Sequence, residues 1–166
     1  MGRLRWTKNL SGTRVDIWKD EEPVGTIRWD NILSTRAQAI LYGKLFVLNR
    51  ELILSKLEIY DSNGQSLLGT VFINLFNPRH DVVINGKRFE LEIQNLWQSR
   101  WSWKFNGDEI ISYSANSLIT KDRGSIDLCT TCNDEVDILI LLGLVVRNQF
   151  IPFMLIFIVI ILLIIL

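Results

Sequence analysis

Along most of the chain, apolar and polar residues alternate in short runs that break at turn-forming residues. Val15-Asp16-Ile17-Trp18 alternates, breaks at Asp20-Glu21-Glu22-Pro23 and resumes over Val24–Trp29. Leu57–Tyr60 alternates, turns at Asp61-Ser62-Asn63-Gly64 and resumes over Leu67–Ile73. A period of two in runs rich in β-branched and aromatic residues predicts strands with one buried face. Asn85-Gly86 joins Asp81–Ile84 to Arg88–Ile93, and Asn106-Gly107 joins Trp101–Phe105 to Glu109–Tyr113. Asn-Gly between apolar runs signals a hairpin, because a type I′ turn needs positive φ at both central residues. Leu45–Leu48 and Leu52–Leu54 flank Asn49-Arg50-Glu51 as a further hairpin, and Ser117–Thr120 and Ser125–Thr130 flank a turn at Lys121–Gly124.

Some ten to twelve short strands follow from this reading, at the spacing of an all-β barrel or sandwich. Two hairpins look like copies of one unit. Ile17-Trp18 leads through an acidic turn to Gly25-Thr26-Ile27, and Ile59-Tyr60 leads the same way to Gly69-Thr70-Val71.

The pattern changes at Asn133. Asn133-Asp134-Glu135 suits a helix start, with a capping side chain followed by acids that complement the helix dipole. Val136–Val146 is then apolar on nearly every side, and such a helix must be buried in protein or lipid. Arg147-Asn148-Gln149 interrupts the apolar run, and Phe150–Leu166 follows without a charge. As a helix, that last run spans about 25 Å against a bilayer core of about 30 Å. The expectation is a head domain over 1–148 that includes a core helix at 134–147, then a transmembrane anchor over 150–166. Arg147 beside that run favours a single-pass, C-terminally anchored membrane protein with its head facing the cytoplasm.

Charge adds little to this picture. All 18 acidic residues and 17 of the 18 basic residues lie at or before Asp137, so the head is nearly neutral. The basic excess of a nucleic-acid binder is missing. Residues 1–104 hold 15 bases and 11 acids, a mild excess that suits either an ordinary solvated surface or the neighbourhood of anionic lipid. The start of the chain has no apolar secretory core, and Trp6 stands where myristoylation would want Ser or Thr. Asn9-Leu10-Ser11 matches the glycosylation pattern, which is silent in the cytosol.

The quoted features together resemble the tubby C-terminal-like superfamily, which includes the tubby proteins, the phospholipid scramblases and the LURP-one-related proteins. The resemblance rests on Ile59-Tyr60-Asp61-Ser62-Asn63-Gly64 with Leu68-Gly69, Ile84-Asn85-Gly86, Trp101-Ser102-Trp103, Gly124-Ser125-Ile126 and the helix from Asp134 to Val146. It implies a mainly β fold: a closed antiparallel barrel of about 12 strands around a central apolar C-terminal helix. It also implies association with phosphoinositides or other phospholipids. In scramblases an acidic stretch before the helix is linked with calcium, which makes Asp122, Asp127 and Asp134 candidate metal ligands here. Their spacing is not that of an EF-hand loop, and capping accounts for Asp134, Glu135 and Asp137 more economically.

Other chemistry is sparse. Arg79, Lys87, Arg88, Arg100 and Lys104 lie on or beside neighbouring hairpins and form a candidate site for an anionic lipid headgroup. Solvated bases opposite core tryptophans are the competing reading, since Trp101 and Trp103 face away from Lys104 on a strand. Cys129-Thr130-Thr131-Cys132 suits a thiol redox pair or half of a zinc site, or simply two small residues at the end of a strand. His80, the only histidine, reads as a loop residue. No Ser elbow, phosphate loop or zinc-helix motif occurs. The expected function is a non-enzymatic, membrane-tethered β-barrel module without a cofactor. It binds phospholipid or a membrane partner and not nucleic acid. A thiol redox or metal-binding protein and a purely structural interaction module are the alternatives.

Overall fold

The computed structural model describes residues 2–51, 56–72, 79–94, 99–118 and 121–165, and the side chains of all these except 79, 117, 118, 121 and 149–158. Among the described residues, twelve strands precede one helix. They are β1 (Gly2–Lys8), β2 (Arg14–Lys19), β3 (Glu22–Trp29), β4 (Arg36–Leu41), β5 (Lys44–Arg50) and β6 (Lys56–Tyr60). The series continues with β7 (Leu67–Phe72), β8 (Arg79–Ile84), β9 (Lys87–Ile93), β10 (Arg100–Phe105), β11 (Asp108–Leu118) and β12 (Lys121–Leu128), and α1 runs over Asp134–Ile165.

The strands form one antiparallel sheet in the order β7-β6-β5-β4-β3-β2-β1-β12-β11-β10-β9-β8. Each strand pairs with its neighbours in sequence, except that β7 and β8 do not pair and β1 also pairs with β12. The ladder therefore ends at β7 and β8, which lie side by side, and the sheet is a nearly closed barrel. A Cβ placed on Gly69 in β7 would lie 3.1 Å from Val82 of β8, so the inner faces meet across this seam.

Alternation produces the inward face. Leu4 and Trp6, Val15 and Ile17, Leu57 and Ile59, Phe89 and Leu91, Trp101 and Trp103, and Ile126 and Leu128 are all buried at alternate positions of their strands. Burying each such side chain contributes about 1.5–3 kcal/mol. Every residue from Val136 to Asn148 is buried as well, and the apolar ones join the same core. Thirteen consecutive residues cover every face of a helix, so this stretch is enclosed on all sides.

The turns show which local signals carried information. Asn85-Gly86 and Asn106-Gly107 have positive φ at both residues, as a type I′ hairpin requires. Tyr42-Gly43 makes the same turn between β4 and β5, although Tyr is not a residue that advertises it. At Asn63-Gly64 only the glycine has positive φ, and Asp61 organises the loop by accepting the backbone N–H groups of Gln65 and Ser66. The two hairpins that look alike in sequence also share a register. Ile17 faces Gly25 and Ile59 faces Gly69, and each isoleucine is followed directly by a β-bulge.

Several expectations are corrected. Lys121–Gly124 is not a turn but the first half of β12. Gly124 reads as a turn glycine, yet it serves close packing: a Cβ there would fall 1.8 Å from the Ser114 carbonyl oxygen. β5 runs through Asn49 and Arg50, so the proposed turn there is strand, and its other arm, Leu52–Leu54, lies outside the described residues. The helix does not stop at Arg147-Asn148-Gln149 but continues to Ile165. Burial of Arg147 between two tryptophans removes the reason for a helix break at that charge. A separate transmembrane helix over 150–166 is not found. Among the described residues no helix is long and apolar enough to cross a membrane.

Candidate functional site

The strongest built feature of the interior is the contact between the aromatic strands and the helix. Trp101 and Trp103 sit one strand period apart on β10, and Tyr113 of β11 lies opposite Trp101. The Trp101 and Tyr113 rings stack at 4.9 Å. Their polar tips all donate to helix carbonyls. Trp101 Nε1 donates to Gly143 O at 3.1 Å, and Trp103 Nε1 and Tyr113 Oη both donate to Leu139 O at 2.9 Å. Burial pushes the Tyr113 phenol well above its ordinary range, so it remains a donor.

One turn further along, the Arg147 guanidinium lies 5.5 Å from the Trp6 ring and 5.1 Å from the Trp101 ring. It pairs with Asp122 of β12 at 2.8 Å. The helix start is held just as specifically. Asn133 caps it by accepting the Val136 N–H at 2.9 Å. Lys44 bridges Asp134 at 2.6 Å and buried Asp137 at 2.9 Å, and these carboxylates raise the Lys44 pKa.

The residues expected to hold an anionic headgroup do not gather into a cation cluster. Lys87 pairs with Glu135 at 2.9 Å, Arg88 pairs with Asp81 at 2.8 Å, and Lys104 pairs with Glu92. Arg100 is exposed at the start of β10, and the side chain of Arg79 lies outside the described ones. Acids on neighbouring strands answer two of these bases and the first turn of α1 answers the third, which leaves a mixed surface between β8 and β10. The proposed metal ligands are likewise dispersed into ion pairs: Asp122 with Arg147, Asp127 with Arg3 at 2.8 Å, and Asp134 with Lys44. Among the described residues no group of three or more potential ligands comes together. Cys129 and Cys132 are exposed free thiols within the β12–α1 connection.

No protein-family model, curated protein or solved structure matches the chain.

His80 is corrected from a loop residue to a buried residue of β8. Burial lowers its imidazole pKa below the ordinary 6.5, against the opposing effects of the Phe72 backbone and Asp81. The folded protein therefore binds this proton less readily than the unfolded chain does. Stability is lost as pH falls below the unfolded value toward the folded one. The melting temperature is expected to drop between about pH 7.5 and about pH 5.5, and His80→Gln to flatten that drop. Identical pH profiles for the two proteins in thermal melts would refute this assignment.

Sequence reasoning missed a groove on the outer face of β2, β1, β12 and β11. Its volume is about 690 Å³, and it is lined by Arg3, Arg5, Arg123 and Trp18 among others. The register brings these residues together: Arg5 lies opposite Trp18 on one side and Ser125 on the other, while Thr7 lies opposite Arg123. The only sequence signal was the Arg3, Arg5 alternation in β1, and its partner strand is more than a hundred residues away.

Proposed function

We propose that this chain is a membrane-tethered, non-enzymatic β-barrel module that binds phospholipid or a membrane partner, with its head on the cytoplasmic side. The observation that carries this reading is the far end of the helix. Val159–Ile165 are seven consecutive apolar residues, each 40–78% exposed. The same helix is fully buried from Val136 to Asn148. An exposed apolar patch of this kind marks a surface that is covered by something else, and lipid is the cover that asks for no shape complementarity.

The reading extends the resemblance to the tubby C-terminal-like superfamily, in which the helix is the plug of the barrel and phospholipid is the ligand. The antiparallel meander of twelve strands and the buried first half of the helix support it. On this reading the aromatic clamp has a mechanical role. It fixes the helix in the barrel so that the apolar end projects from one mouth.

Membrane fractionation of the full chain tests it. The protein is expected in the carbonate-resistant pellet, and Ile161→Asp with Ile164→Asp is expected to move it to the supernatant with the barrel's melting transition retained. Release of the unsubstituted chain by carbonate would overturn the tether.

A further inference from the structure

The groove across β2, β1, β12 and β11 has the makings of an anion site. On the outward face, the short side chains Thr7, Ser114 and Ser125 form a floor between long neighbours. Ser114 Oγ and Ser125 Oγ lie 2.8 Å apart, two hydroxyls presented side by side. Arg5 and Arg123 sit diagonally across this floor, and Trp18 walls one end.

The donors are available. Arg5 uses one terminal nitrogen for the Asp20 carbonyl and for Glu21, which leaves the rest of its fork. The Arg123 side chain is exposed and makes no hydrogen bond or ion pair among the described residues. Arg3, in contrast, is committed to Asp127. Glu21 is the opposing charge at the rim, but its side chain is 93% exposed and solvent screens it. Trp6 lies beneath the groove, and Gly124 is bare there so that the Ser114 carbonyl can pack against it.

We propose that this groove binds a phosphate monoester. Two guanidinium forks carried on paired strands suit the three terminal oxygens of a monoester dianion, which accept paired N–H donors. Of the paired serine hydroxyls, the one whose proton its neighbour does not use adds a short donor from below, and the flat Trp18 face packs against the carbon skeleton that carries the phosphate. A volume of about 690 Å³ holds a sugar phosphate or a lipid headgroup of similar size. The site is separate from the five bases between β8 and β10, and it stands whether or not the helix end enters a membrane.

Titration calorimetry on the full chain in uncharged maltoside micelles tests the proposal. Glucose 6-phosphate is the soluble monoester, and dihexanoyl phosphatidic acid presents the same group on a lipid. Dihexanoyl phosphatidylglycerol is the diester control. Binding of either monoester, about tenfold tighter than the diester, is expected. Preference for one monoester over the other identifies the source of the phosphate. Arg123→Gln and Arg5→Gln are each expected to weaken binding about tenfold, while Arg28→Gln on β3 leaves it unchanged. If Arg5→Gln fails to fold, Arg123→Gln decides alone, because its exposed side chain holds nothing else in place. Absence of binding by both monoesters, equal affinity for the diester, or an Arg123→Gln affinity within about twofold of the parent would overturn the site.

Discussion

Gly143→Ala is expected to destabilise the protein by about 3 kcal/mol or more, although it improves the helix's intrinsic propensity by about 1 kcal/mol. A Cβ at this position would lie 2.5 Å from Tyr113 Oη, 2.6 Å from Tyr113 Cζ and 3.0 Å from Trp103 Nε1. Neither ring can retreat. Tyr113 is stacked on Trp101, and both donors are bonded to the Leu139 carbonyl beneath them. Making room for one methyl group therefore breaks buried hydrogen bonds whose donors find no water. Denaturant titration followed by tryptophan fluorescence, in micelles that shield the helix end, measures the change. Tyr113→Phe alone should cost about 1 kcal/mol, since it removes one buried bond and leaves the ring. The double substitution should cost less than the sum, because removing the hydroxyl relieves part of the clash. A stabilised Gly143→Ala protein would mean that the clamp is not formed as described.

Arg147→Met is expected to cost about 3 kcal/mol. The substitution removes the ion pair to Asp122 and the contacts with the Trp6 and Trp101 rings, and leaves a largely buried carboxylate behind. Lys8 lies close to the same carboxylate but cannot replace the guanidinium on equal terms. Burial lowers its pKa, with Asp122 opposing that shift and Arg147 adding to it. Arg147→Met with Asp122→Asn should recover a substantial part of the loss, because the stranded charge is gone. Thermal melts of the single and double variants measure this. A double variant as unstable as the two losses added together would show that the pair acts through its neighbours and not through its charge.

Much of the fold was legible because its signals are local. Val15–Ile17, Leu57–Ile59 and Phe89–Leu91 alternate over their own lengths, and the turns at 85–86 and 106–107 need only two residues to specify positive φ. The matched bulges after Ile17 and Ile59 were visible as matched residues. β4 escaped because two of its three inward residues are Ala37 and Ala39, which alternate too weakly to register. β1 escaped because Leu4 and Trp6 alternate with arginines at the chain start, where the pattern resembles a surface segment.

The candidate sites were less legible, because the sign of a surface depends on which strands lie beside each other. Lys87, Arg88 and Lys104 are basic in sequence, and Glu135, Asp81 and Glu92 answer them only in space. Arg5 and Arg123 look unrelated in sequence, and the pairing of β1 with β12 makes them neighbours.

Sequence alone determined that this chain is built from short alternating strands and ends in an apolar helix, since periodicity and turn chemistry are written within a few residues. Only the tertiary structure decided that the first and last strands pair and that one helix runs through Arg147 to Ile165. It also decided that Trp101, Trp103 and Tyr113 spend their polar atoms on that helix's carbonyls. The physical reason is range. A buried polar or charged group must find a partner to offset its desolvation, and here the partners come from strands that meet only when the sheet curls into a barrel.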